Sequence, residues 1–225
     1  DYFTDLVKDR YGCSAEAAQA ILAAYEKASE IPTLFISQFY YGNCTARCQF
    51  GATLEYGIWP GDLHLTAPGM LMVDSPRADG SIRFWVKPQG QLAEKKKLVD
   101  IVEYVKSNAT AETTPDRLAE ILEADANDCL AAVNKAAPEV TRRQEEFKEL
   151  QLNMQAYHYM GMHLSEKTKA VLDMLRFLKN GDSKLYDSGK ARLQKSLDFF
   201  LEQRAISQKI YPDPNHENLI FQVAV

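Results

Sequence analysis

With 225 residues, 46% of them apolar and 25% charged, the chain has the make-up of an ordinary globular protein with ample material for a core. Its formal net charge of −5 argues against a nucleic-acid or anionic-membrane surface, either of which would need a basic patch. No apolar run reaches the ~18–20 residues of a membrane span, so no membrane-crossing segment is expected.

The chain opens directly on a helical pattern, with no initiator Met and no signal peptide, as a piece cut from a longer protein or a processed form does. Residues 1–11 place Phe3, Leu6, Val7 and Tyr11 on one helical face, and Gly12 ends that helix. Ser14 is a good N-cap for a second, Ala-rich helix, with Glu16 near its positive end. Ile21, Leu22, Tyr25 and Ala28 form the expected buried stripe, and Ile31-Pro32 is expected to break the helix. Residues 34–41 suit a strand by propensity, but also a short buried helix started at Pro32, the reading favoured by their helical neighbours.

From Gly42 to Gly90 the helical period vanishes while Gly, Pro and aromatics are frequent. A connection this long without regular period is usually functional or disordered, and its aromatics argue against disorder. Asp79-Gly80 signals a turn, and 82–86 reads as a short extended segment.

Helical pattern resumes at Leu92, with Leu98, Ile101, Val102 and Val105 on one face and Lys95-Lys96-Lys97 solvated. Thr114-Pro115-Asp116 is a helix start, and Leu118, Ile121, Leu122, Ala126, Leu130, Val133 and Ala137 are the apolar positions that follow. The strongest signal runs from Pro138 to Asn180. Phe147, Leu150, Met154, Tyr157, Gly161, Leu164, Thr168, Val171, Leu175 and Leu178 recur at alternating steps of three and four, the seam of a helix facing other helices. At ~1.5 Å per residue that run is either bent near 161–165 or longer than its neighbours. Asn180-Gly181 supplies its stop. A last helix over about 185–209 has Leu193, Leu197, Phe200, Leu201 and Ile206 for its buried side, and Leu219 begins an apolar alternating tail.

The expectation is therefore an all-α fold, a helical bundle with a long irregular aromatic-rich insertion. Residues 1–214 form the bundle domain, with the insertion at 42–90, and 215–225 form a C-terminal tail.

Chemistry-bearing residues are sparse. Cys13 and Cys129 lie among helical residues as buried thiols would; Cys44 and Cys48 suit either free thiols or a loop disulfide, and lack the second pair a zinc site needs. His158 and His163, five apart, miss the helical spacing of a metal pair and read as one partly buried and one surface residue. There is no Gly-rich phosphate loop and no Gly-x-Ser-x-Gly elbow. No catalytic residue, metal site or cofactor is expected. The best binding candidate is Glu55, Tyr56, Trp59, Asp62 and His64, with Tyr40 and Tyr41. Aromatic faces pack on the C–H faces of sugars, while carboxylates and His orient hydroxyls. The same residues also suit a structural clasp that anchors the loop to the bundle.

Several local features arrive in a recognisable order. They are Arg10-Tyr11-Gly12; Ala28-Ser29-Glu30-Ile31-Pro32; Thr114-Pro115 with Leu118-Ala119-Glu120-Ile121-Leu122 and Ala126; Glu146-Phe147; Phe177-Leu178-Lys179-Asn180-Gly181-Asp182; and Ile210-Tyr211-Pro212. This order resembles the α-helical module of large bacterial glycoside-hydrolase-like proteins, where it follows a barrel of the α-glucuronidase-like kind. The resemblance implies a non-catalytic accessory domain of a carbohydrate-active enzyme. Its implied partners are the catalytic domain of the same parent chain and an oligo- or polysaccharide. It also implies a periplasmic or secreted location. It carries over no catalytic residue. The alternative, from another class, is a tetratricopeptide-like protein–protein interaction module, suggested by the final helix pair.

Overall fold

The computed structural model describes residues 1–38, 91–108, 110 and 112–211. The insertion, including the extended segment expected at 82–86, and the tail lie outside the described residues. What is described is all-α. Seven α-helices follow one another among the described residues: α1 (Tyr2–Tyr11), α2 (Ala15–Gln38), α3 (Gln91–Lys96), α4 (Ile101–Ser107), α5 (Pro115–Ala136), α6 (Gln144–Asn180) and α7 (Ser183–Ile210). An isolated bridge between Leu98 and Thr113 is the only extended pairing there.

The expected punctuation is largely in place. Gly12 closes α1 with φ 61° and its N–H on the Lys8 carbonyl. An added Cβ there would meet Thr141 Oγ1 at 2.5 Å, so the close approach of the α5–α6 connection also demands glycine. Ser14 Oγ accepts from the Ala17 N–H (3.1 Å) and Thr114 Oγ1 from the Arg117 N–H (3.2 Å). Gly181 ends α6 in the left-handed conformation with its N–H on the Phe177 carbonyl.

Two boundaries differ from expectation. Pro138 does not open the long helix. It sits in a 3₁₀ turn (Ala137–Glu139), and α6 begins at Gln144 after Arg143 adopts a left-handed φ of 49°. Nor does Pro32 break α2, which continues through it to Gln38. An interior proline costs ~3 kcal/mol. Ile31, Leu34 and Phe35 beside it are each almost fully buried, and each such side chain contributes ~1.5–3 kcal/mol. Burial outweighs the missing hydrogen bond.

The core is built on α2, α5 and α6 and has two adjoining parts. One gathers Ile31, Leu34 and Phe35 of α2, Ile101 and Val105 of α4, Leu118, Leu122 and Ala126 of α5, and Leu164, Val171, Leu172 and Leu175 of α6. The other joins Val7 and Tyr11 of α1 to Ile21 of α2, Val133 of α5, and Phe147, Leu150 and Met154 of α6. The α6 seam is buried as expected from Phe147 to Leu175, with Tyr157 half-buried and Leu178 half-exposed. At 37 residues, α6 is longer than α7 (28 residues) and α5 (22 residues), and it runs through 161–165 without a break.

Other faces are corrected. On α1, Val7 and Tyr11 are buried but Phe3 and Leu6 are exposed; on α2, Tyr25 is exposed. On α7 the expected stripe holds in part: Ile206 is buried and Leu193 and Phe200 are half-buried, but Leu197 and Leu201 face solvent, while Gly189 and Ser196 are buried. The reason is the way α7 packs on α6. Small residues bring the two backbones close, and polar side chains cross the gap.

Candidate functional site

The cluster expected to bind sugar, Glu55, Tyr56, Trp59, Asp62 and His64 with Tyr40 and Tyr41, lies outside the described residues. Cys44 and Cys48 lie outside them too. Cys13 and Cys129 are both free, Cys129 buried and Cys13 partly so. Three polar arrangements on the described helices merit chemical examination.

The first joins α6 to α7. Glu166 is almost wholly buried, yet three cations surround it: Lys195 (2.9 Å), Arg192 (3.1 Å) and Lys169 (3.7 Å). Burial alone would raise its pKa; these cations more than offset that and hold it below the usual carboxylate range. Arg192 reaches Asp173 as well (2.9 Å), and Ser188 donates to the same Asp173 oxygen (2.7 Å). Both carboxylates are satisfied from within, so the network clamps helices together rather than presenting reactive groups.

The second arrangement is His163 and Ser196, 7% and 2% exposed. His163 Nδ1 lies 2.8 Å from Ser196 Oγ and 3.0 Å from the Ser196 carbonyl, while Ser196 Oγ donates to the His163 carbonyl (3.1 Å). The serine proton is therefore directed at a carbonyl, and Nδ1 serves as donor. That is the reverse of a base activating a nucleophile. Burial, with Lys167 adding to it, lowers the His163 pKa to about 3, so the ring is neutral. Neither histidine matches the expected surface position: His158 is half-buried, with Nδ1 3.1 Å from the Ala126 carbonyl.

The third is a concavity at one end of the bundle. A cleft of about 470 Å³ opens between α4 (Tyr104, Val105 and the following Asn108 and Thr110), the start of α5 (Thr114) and the last turn of α6 (Arg176, Lys179, Asn180). Asp116, in the first turn of α5, organises it. It accepts from Arg176 Nη2 (2.5 Å) and from the Tyr104 hydroxyl (2.8 Å). Burial would lower the Arg176 pKa, but Asp116 reverses that and raises it. The bond to Asp116, with burial behind it, raises the Tyr104 phenol. Lys179 Nζ donates to the Val105 carbonyl (2.7 Å), the Lys106 carbonyl (3.2 Å) and Asn108 Oδ1 (3.3 Å). It thus caps the negative end of α4. Asn108 has φ 55°, a conformation asparagine tolerates.

Sequence reasoning passes over this cleft. Arg176 and Lys179 look like ordinary basic residues near a helix C-terminus, and only the convergence of three helices gathers them with Tyr104 and Asn108. Among the described residues no group of three or more His, Cys, Asp or Glu could hold a metal ion. No described helix is long and apolar enough to cross a membrane.

No family model matches the chain, and no curated protein matches it. Among solved structures the bundle is similar to part of a glycoside hydrolase, a GH138 enzyme targeting pectin rhamnogalacturonan II. The TM-score is 0.65 at 19% sequence identity, covering 92% of this chain and 22% of the other. At that identity the likeness is one of fold. The chain spans about a fifth of the length of the enzyme it matches.

Proposed function

We propose that this chain is a non-catalytic helical accessory domain of a larger carbohydrate-active enzyme. It would support the catalytic domain of the same parent chain and contribute a loop to the substrate cleft. The observation that carries this reading is the fold likeness of nearly the whole chain to about a fifth of a glycoside hydrolase. The described residues agree with a supporting role, because their buried carboxylates and their His–Ser pair are spent on joining helices. In this reading Glu55, Tyr56, Trp59, Asp62 and His64 provide the sugar-contacting loop, and the location is periplasmic or secreted.

The tetratricopeptide-like alternative gains no specific support. Such a repeat places two helices in ~34 residues, whereas α6 alone has 37.

An antibody raised against the 225-residue chain tests the reading in the source cells. It should detect a polypeptide several times larger, in the periplasm or medium. The immunoprecipitate should release sugar from pectic or xylan polysaccharide, and the isolated chain should release none. A reactive polypeptide of about the chain's own 25.4 kDa, or hydrolysis by the isolated chain, overturns it.

A further inference from the structure

We infer that Asp125 of α5 and Glu30 of α2 take up one proton between them as the solution turns mildly acid, and that the hydrogen bond so formed tightens the contact between the two helices. The Asp125 side chain is 3% exposed, and its Oδ1 accepts from Lys27 Nζ (2.8 Å). Its Oδ2 is buried with no hydrogen-bond donor among the described residues. A buried polar atom left in that state costs stability. Besides Lys27, the Glu30 carboxyl comes within hydrogen-bond reach of Asp125, one turn beyond Lys27 on α2. Ionised carboxylates only accept, so no hydrogen bond joins the two while both are charged. One proton from solvent turns the pair into a donor and an acceptor and removes one of two like charges.

The surroundings favour that uptake. Burial pushes the Asp125 carboxyl above its ordinary range; Lys27 opposes the rise and Glu30 adds to it. Lys27 is 38% exposed, so water screens its charge. Glu30 has Lys96 of α3 only at 3.9 Å. Asp128, one turn on along α5, adds negative charge near Lys27, while Glu123 is turned to Lys169 of α6. From α6, His158 meets this stretch of α5 with its Nδ1 on the Ala126 carbonyl. The effect runs against that of His163 and Glu166. Those two favour the folded chain less as pH falls, because folding lowers their pKa values. Asp125 has the opposite sign: its contribution is present below the ordinary aspartate pKa and is lost as pH rises through the folded value. The α2–α5 contact thus gains hold in acid where the α6–α7 contact loses it.

The test is a pH titration of the Asp125 and Glu30 side-chain carboxyl carbons by NMR in the full 225-residue chain. Asp125 should protonate above the ordinary aspartate range, and both resonances should report the same steps, as coupled carboxyls do. Glu30→Gln offers Asp125 an amide N–H, so the Asp125 step should move to lower pH in that variant. Asp125→Asn makes the bond without a proton, its amide donating to Glu30 and its carbonyl accepting from Lys27. Urea unfolding of this variant and the unaltered chain is compared at about pH 7 and about pH 4.5. On acidification the ratio of their unfolding constants should shift several-fold in favour of the unaltered chain. A plain Lys27–Asp125 ion pair gives the opposite sign, because a carboxylate held by its cation loses its contribution in acid. Protonation of Asp125 within or below the ordinary range overturns the inference. So does an Asp125 step unmoved by Glu30→Gln, or a ratio that stays level or moves toward the variant. The titration of the unaltered chain decides the matter even if neither variant folds.

Discussion

His163 holds its proton balance against the solvent. Its folded-state pKa of about 3 lies well below the ordinary 6.5. Above pH 6.5 the ring is neutral folded or unfolded and adds no pH dependence. Below it the unfolded chain takes up a proton that the folded one refuses, so stability falls as pH drops from 6.5 toward 3. Between about pH 7 and pH 5 the loss from this residue alone should be about 2 kcal/mol. His163→Asn keeps an N–H near Nδ1 and removes the titration. Urea unfolding at the two pH values should show a correspondingly smaller drop in the variant; an equal drop would sink the assignment. Glu166 shows the same sign at lower pH. Its pKa is depressed, so its contribution is present above the ordinary carboxylate range and is lost as pH falls through its folded value.

At the scale of elements, helix contacts depend as much on small residues as on large ones. Gly161 of α6 lies where an added Cβ would meet Ala126 Cβ at 2.7 Å and the Leu122 carbonyl at 2.9 Å. Gly161→Ala should gain ~1 kcal/mol of helix propensity but lose more to overpacking, for a net destabilisation of roughly 1–2 kcal/mol by thermal or urea unfolding. Gly189→Ala of α7 meets Met174 Cγ at 3.1 Å, a side chain able to move, and should cost less. A larger loss at Gly189 would reverse the order of the two contacts. Leu150 and Leu175, 5% and 6% exposed on the α6 seam, should each cost ~2–5 kcal/mol when changed to Ala. Losses below half that range at both would show the seam to be loosely packed.

These contacts also explain what the sequence discloses. The α6 seam is legible because large apolar residues dominate its contacts with α2 and α5. The α7 face is legible only in part: Phe200 meets His163 of α6 from the expected side, but Gly189, Ser196, Arg192 and Lys195 also face α6, and hydrophobic period does not register them. Leu197 and Leu201 supply a second stripe that points the wrong way. Sequence reading ends α2 too early because Pro32 is a strong local signal, and local signals cannot weigh the burial of Ile31, Leu34 and Phe35. The cleft stays hidden for a related reason: Tyr104, Asp116 and Arg176 lie on three separate helices and come together only when α4, α5 and α6 meet.

For the whole molecule, the two parts of the core share α2, α5 and α6, so neither should unfold alone. Leu122→Ala and Val133→Ala, one in each part, should shift the same urea transition rather than split it, followed by far-UV circular dichroism and tyrosine fluorescence together. Separate midpoints by the two probes would mean independent units. Among the described helices, α7 packs extensively on α6 alone, through an ion-pair network and the ring contacts of Phe199, Phe200 and Tyr186. Its amides should exchange with deuterium earlier than those of α5, which lies between α2 and α6. Equal protection in the two helices would contradict this.

The unbroken length of α6 has a practical consequence: it makes the molecule its own ruler. Gln144 and Lys179 sit near opposite ends of one 37-residue helix, which sets their axial separation at roughly 53 Å. That distance falls where energy transfer between common dye pairs changes most steeply. Labels at these exposed ends would report shortening of the helix by a single turn, and would do so with the chain free or inside a larger assembly.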